Sequence, residues 1–451
     1  MAENEEPLLP PSEEQPQTIR KSPRVASLDV FRGLCVFLMM LVDYGGSIFP
    51  VIAHSPWNGL HLADFVMPFF LFIAGVSLAL VYKRVSNRVE ATWKAALRAV
   101  KLFFLGVLLQ GGYFHGINSL TYGVDIERIR WLGILQCPPN LYFSFYLNKH
   151  SRNLHKLWLL NLFLLSFKRI SIGYLIAALC EIWLTYGTQR EVIVVKKYYW
   201  HWGLALLLSA IYMGLLHGLY VPDWQFSKTY PTSSLVSTND TLMYTVKCSV
   251  RGDLGPACNS AGMIDRYVLG PDHLYQKPVY RNLKECNMSA SGQIPEGSPS
   301  WCLAPFDPEG ILSSITAAAT CVIGLQYGHI LGRLQDHKGR MENWSLLSVS
   351  LLVLGAFLAL IGIPVNKSLY TLSYMLITSA SSGLTYCALY LLVDVYGYRR
   401  LTYFLEWMGL HSLSIFVLVS SNLVVIAIQG FYWAAPQNNI IHWIVSCFVH
   451  Q

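Results

Sequence analysis

Charge is what this chain has least of. Of its 451 residues only 13% are charged while 53% are hydrophobic, and the mean hydropathy is +0.40. That balance excludes an ordinary soluble domain and fits a polytopic membrane protein. Also missing are the alternating segments of about 10 residues that build a transmembrane β-barrel. No HExxH or CxxC spacing, no GxSxG elbow and no phosphate-binding P-loop occurs, so no metal is expected. The net charge of +7 does not point to nucleic acid, because Lys and Arg fall in short clusters between apolar runs, where they set orientation. Residues 1 to 19 are acidic and Pro-rich and lack the apolar core of a signal peptide, so 1–24 is expected to be a disordered cytosolic tail. Its "EEPLLP" is one residue short of an acidic dileucine sorting signal.

What is present is a series of runs long enough to cross a bilayer core of about 30 Å. Spans are expected near 28–50, 62–82, 93–112, 170–187, 200–219, 309–332, 345–364, 370–395 and 403–429. The fold class is therefore an all-α polytopic membrane protein, a bundle of about 9–11 transmembrane helices with one long luminal loop. Basic residues mark alternate connections as cytosolic: Arg20, Lys21 and Arg24; Lys83, Arg84 and Arg88; Arg190, Lys196 and Lys197; Arg333, Lys338 and Arg340; Arg399 and Arg400.

The N-terminal set of spans occupies 25–219 and the C-terminal set 309–451, separated by the loop 220–308. That loop holds Cys248, Cys258, Cys286 and Cys302 and sequons at Asn239 and Asn287. In an oxidising lumen four cysteines imply two disulfides, with three pairings open. Two places break the regularity. Residues 137–168 separate "RIRWLGILQ" from "RISIGYLIAALCEIW" and read as an insertion into an otherwise continuous helix. The chain also stops at "IIHWIVSCFVHQ", partway into a further apolar run, which reads as a truncation.

The stretch 43–64 sets a polar loop between two very apolar runs. Polar groups at a membrane rim are costly unless paired, which makes them functional candidates. His54 lies among Gly45, Gly46, Pro56 and Gly59, with no helical period that would bury it. Its imidazole can move a proton near neutral pH or carry an acyl group. Cys35 and Ser55 are alternative nucleophiles, although Cys35 falls inside the first span. Asp29 and Arg32 stand at i, i+3 and can either neutralise each other or line the site. One reading is an enzyme; another is a transporter in which Asp29, Arg32, Asp43 and Asp64 line a route and His54 relays protons.

"SLDVFRGLCVFLMMLVDYGGSIFPVIAHSPWNGLHLADFVMPFFLFIAG", with "RIRWLGILQ", "RISIGYL", "IDRYVLGPDHLY" and "FDPEGILSSI" downstream, resembles the heparan-alpha-glucosaminide N-acetyltransferase family, its plant members in particular. The resemblance covers about residues 25 to 430 apart from 137–168. It implies a transmembrane acyltransferase that takes acetyl from acetyl-CoA and gives it to a luminal amino-sugar or a small acceptor. His54 falls on the family's active-site histidine, with Asp43, Trp57, Asn58, Asp64, Asp29 and Arg32 as substrate-binding or supporting residues. Asp43 stands where the family motif has Asn, which exchanges a donor for an acceptor and suggests an altered acceptor preference. The expected partners are acetyl-CoA, the acceptor and the lipid bilayer, with a homodimer possible and no nucleic acid. The expected location is an endomembrane, lysosomal or vacuolar.

Overall fold

The computed structural model describes residues 25–46, 49, 51–83, 87–111, 113–115, 120–122, 169–184, 199–230, 240–275, 278–286 and 297–420. The tail 1–24, the segment 137–168, both sequon asparagines, the basic residues Arg84, Arg190, Lys196 and Lys197, and the C-terminal run after 420 lie outside the described residues.

A helix occupies each of the nine expected spans. They are α1 (Ala26–Gly45), α2 (Ala63–Val81), α3 (Arg88–Gly111), α4 (Arg169–Leu184), α5 (Tyr199–Gly218), α7 (Ile311–Arg333), α8 (His337–Ile361), α9 (Leu372–Tyr390, continued by a π turn over Leu391–Val395) and the bent pair α10 (Arg399–Leu410) and α11 (Ser412–Ser420). Among the described residues five helices are long and apolar enough to cross a membrane, or six if the pair bent by 68° is one span. The other three miss that standard for separate reasons. α1 carries Asp29, Arg32 and Asp43, α3 begins with a charged half, and α4 has only 16 residues.

The centre of the bundle is α2 against α7. In α7, 89% of the most apolar stretch is buried, against 22% in α8, so α7 is an interior helix and α8 lies on the outside of the bundle. Close approach is made possible by Gly75 of α2 lying on the "GLQYG" of α7. A methyl group on Gly75 would collide with the Cys321 carbonyl, one on Gly324 with the Phe72 carbonyl, and one on Gly328 with the Val76 carbonyl. This is small-residue packing of the kind that joins membrane helices, where apolar burial alone gives no preference over lipid.

The segment expected as a long loop has structure of its own. It contains the hairpin β4 (Trp224–Tyr230) and β5 (Asp240–Val246), the helix α6 (Ser260–Leu269) and short 3-10 turns. The short pairs β1 (Tyr113–His115) with β2 (Leu120–Tyr122) and β3 (Tyr220–Val221) with β6 (Val250–Arg251) complete the strands. Of the three open cysteine pairings, the structure forms Cys248–Cys258 and Cys286–Cys302. An aromatic cluster of Trp57, Tyr280 and Phe306 seats the segment on the first loop, and the Trp57 indole N–H donates to the Leu254 carbonyl at 3.0 Å. Asp265 of α6 accepts from the Ile311 backbone N–H at 2.8 Å and so caps the start of α7. The loop 46–62, the segment after α5 and the loop between α8 and α9 thus gather at one end of the bundle.

Candidate functional site

The site begins with a proline. Pro68 sits inside α2, four residues after Asp64, and having no N–H it leaves the Asp64 carbonyl without its helical donor. The buried Tyr374 hydroxyl of α9 donates to that carbonyl instead. The first turn of α2 is thereby tied to the start of α9, and the Asp64 side chain is left free for the loop before it.

That carboxylate is fully buried and organises four groups. Its Oδ2 accepts from the backbone N–H of Ser55 at 3.2 Å and of His61 at 2.9 Å. Its Oδ1 lies 3.1 Å from His54 Nδ1 and 3.4 Å from Lys367 Nζ. Lys367 Nζ is in turn 2.7 Å from the same Nδ1. His54, Asp64 and Lys367 therefore form a closed triangle on one nitrogen of the ring. Among the described residues the hydrogen-bonding partners of His54 meet it at Nδ1, which leaves Nε2 for chemistry.

Burial, then the Lys367 cation, lowers the His54 pKa below its ordinary value, and the Asp64 partnership only partly restores it. The Lys367 pKa is also lowered, by burial first, with Asp64 and Glu309 opposing. A neutral imidazole beside an ion pair has two usable forms. Lysine as ammonium donates to Nδ1 and places the ring proton on Nε2; an N–H at Nδ1 donates to Asp64 and leaves the Nε2 lone pair free.

Lys367 is brought in by the loop between α8 and α9, and Asn58 holds that loop. Asn366 Nδ2 donates to Asn58 Oδ1 at 3.1 Å, and the Gly59 N–H donates to the Val365 carbonyl at 2.9 Å. The triangle opens on a cavity of about 260 Å³ that Asp43, Glu309 and Ser412 also line, with apolar walls that include Met67 and Phe70.

The structure thus brings His54 and Asp43 together around one space, with the buried Asp64 behind His54. Asn58 and Trp57 act behind it, one on the Lys367 loop and the other on the 220–308 segment. Asp29 and Arg32 go elsewhere. Arg32 pairs with Asp29 at 2.9 Å and donates to Ser77 Oγ at 2.7 Å. Asp29 lies 14 residues before Asp43 on α1, about 21 Å along the axis. Cys35 is buried in α1, and the Ser55 hydroxyl donates to the Gly59 carbonyl at 3.3 Å. Sequence reasoning missed Lys367, Glu309 and Tyr374. Lys367 did carry a signal: it is a lone basic residue in a connection that the basic clusters assign to the other side.

No family model matches the sequence. Two named proteins are similar to it over most of its length. The human heparan-alpha-glucosaminide N-acetyltransferase is 28% identical over 431 residues, covering 89% of this chain and 54% of the relative. The mouse heparan-alpha-glucosaminide N-acetyltransferase is 27% identical over 427 residues, again 89% and 54%. The chain spans about half the length of the curated relatives it matches. With the bundle, the two disulfides and a polar site at its rim, the chain is a multi-pass membrane protein similar to the heparan-alpha-glucosaminide N-acetyltransferases.

Proposed function

We propose that the protein is a membrane acetyltransferase that moves acetyl from acetyl-CoA to a luminal glucosamine-like amine or related small acceptor. The observation that carries this reading is the His54–Asp64–Lys367 triangle at the cavity mouth. A neutral imidazole with one nitrogen fixed and the other free can accept an acetyl group or remove a proton from an attacking amine. The apolar walls suit the thin pantetheine arm of a thioester donor, and a cavity of about 260 Å³ has room for the reacting ends rather than for a whole coenzyme. Asp43 and Glu309 in the same lining favour a cationic acceptor. The side on which His54 lies is taken as the lumen because Lys83, Arg333, Lys338 and Arg399 fall at connections on the opposite side. A lysosomal or vacuolar membrane is the location this reading favours.

The test is acetyl transfer from labelled acetyl-CoA to glucosamine in purified membranes. His54→Ala should lower the rate by about 100-fold or more, the usual contribution of a positioned acid–base, while membrane insertion and yield stay normal. Near-normal turnover in that variant refutes the assignment.

A further inference from the structure

We propose that Glu181, His201 and His329 form a zinc-binding site that clamps α4, α5 and α7 together at the end of the bundle away from His54. His329 Nε2 lies 2.9 Å and His201 Nε2 3.4 Å from the same Glu181 oxygen, Oε2. The ligand atoms of all three lie within 4.8 Å of one another. Zinc bonds of about 2.0 to 2.2 Å at tetrahedral angles put ligand atoms about 3.3 Å apart, which the two measured separations bracket. All three side chains are buried, at 2%, 1% and 6% exposure. The two imidazole planes stand at 78° with centroids 5.6 Å apart, so two rings face one carboxylate from different directions.

The Glu181 carboxylate is buried, and two ring nitrogens from two other helices approach the same oxygen of it. Two imidazoles and one carboxylate, with a fourth position for water, are a donor set that zinc accepts.

The site is separate from the acyl-transfer cavity. His329 lies 18 residues after Ile311 on α7, about 27 Å along the axis, and only four before the helix ends at Arg333. A clamp there has a purpose. Only 28% of the most apolar stretch of α5 is buried, so this helix sits at the outside of the bundle, held along one face, and His201 is two residues from its start. Spacing motifs could not reveal the site, because its ligands come from three helices.

The experiment uses the full chain in detergent with Zn²⁺ or Co²⁺ alone. After gel filtration the wild type should retain about one zinc per chain. Added zinc should raise its melting temperature and a chelator should lower it. Co²⁺ should give the visible bands of a four-coordinate ion. Glu181→Gln and His329→Ala should each weaken retention by about 10-fold or more. A wild type that retains no zinc and does not change its melting temperature with zinc or chelator overturns the proposal, whatever the folding of the variants. Zinc retained equally by wild type and a folded H201A/H329A double variant overturns it as well, because the ion is then held elsewhere.

Discussion

Lys367 changes what His54 is able to do. A histidine beside a buried aspartate alone would have its imidazolium stabilised and would stay protonated in an acidic compartment. The ammonium at 2.7 Å from Nδ1 opposes that charge, and burial opposes it further. The ring is therefore neutral, and usable as base or nucleophile, at pH values below its ordinary pKa of about 6.5. Replacing the cation removes a lowering influence and so raises the His54 pKa. Lys367→Met should then move the acid limb of the proposed acetyl transfer to higher pH, so that activity is lost earlier as pH falls. Measuring rate against pH for both proteins checks this, and an unmoved acid limb would show that Lys367 does not govern the ring. The residues of this site that lie within 43–64 were legible from sequence because one loop holds them. Lys367 was not, since it is 313 residues from its partner and only the fold closes that distance.

At the scale of elements, hydropathy marked where the helices lie, but not which of them touch. The apolar runs of α7 and α8 both read as spans, yet one is interior and the other lies largely exposed on the outside of the bundle. Glycine placement decides the difference, because Gly75, Gly324 and Gly328 let two backbones meet. Gly324→Leu should therefore overpack that contact and lower stability by about 1 to 3 kcal/mol or more. Gly203 on α5 has open space where a side chain would go, so Gly203→Ala should be neutral or slightly stabilising. Melting temperatures of the two variants in detergent give the comparison, and equal behaviour would contradict the packing described. Pro68 shows a similar dependence. In sequence it reads as a defect in a span; in the structure it frees a carbonyl for Tyr374 and so ties Asp64 to α9.

For the whole molecule, the segment 220–308 and the His54 loop form one assembly at one end of the bundle. If that end is luminal, Cys286 and Cys302 are oxidised there and cannot be reached from the cytosol. In sealed, non-reduced vesicles an impermeant thiol reagent applied to the cytosolic face should label neither cysteine, and non-reducing gels should show faster migration than reduced ones. Labelling of either cysteine from the cytosolic face would reverse the orientation proposed.

Sequence by itself determined the class of molecule, the placement of nine helices, the presence of cysteines able to pair and the loop that bears His54. These are local properties: a run of apolar side chains must be helical in lipid because every backbone group has to be satisfied within it, and a histidine flanked by glycine and proline falls in a loop. Tertiary structure alone decided which cysteines joined and which helix became the core. It also decided that Asp29 and Arg32 serve each other rather than the site, that Lys367 completes the triangle, and that Glu181, His201 and His329 meet. Each of these depends on contacts between segments far apart in the chain, whose energies come from close packing and buried charge and leave no periodic trace in the sequence.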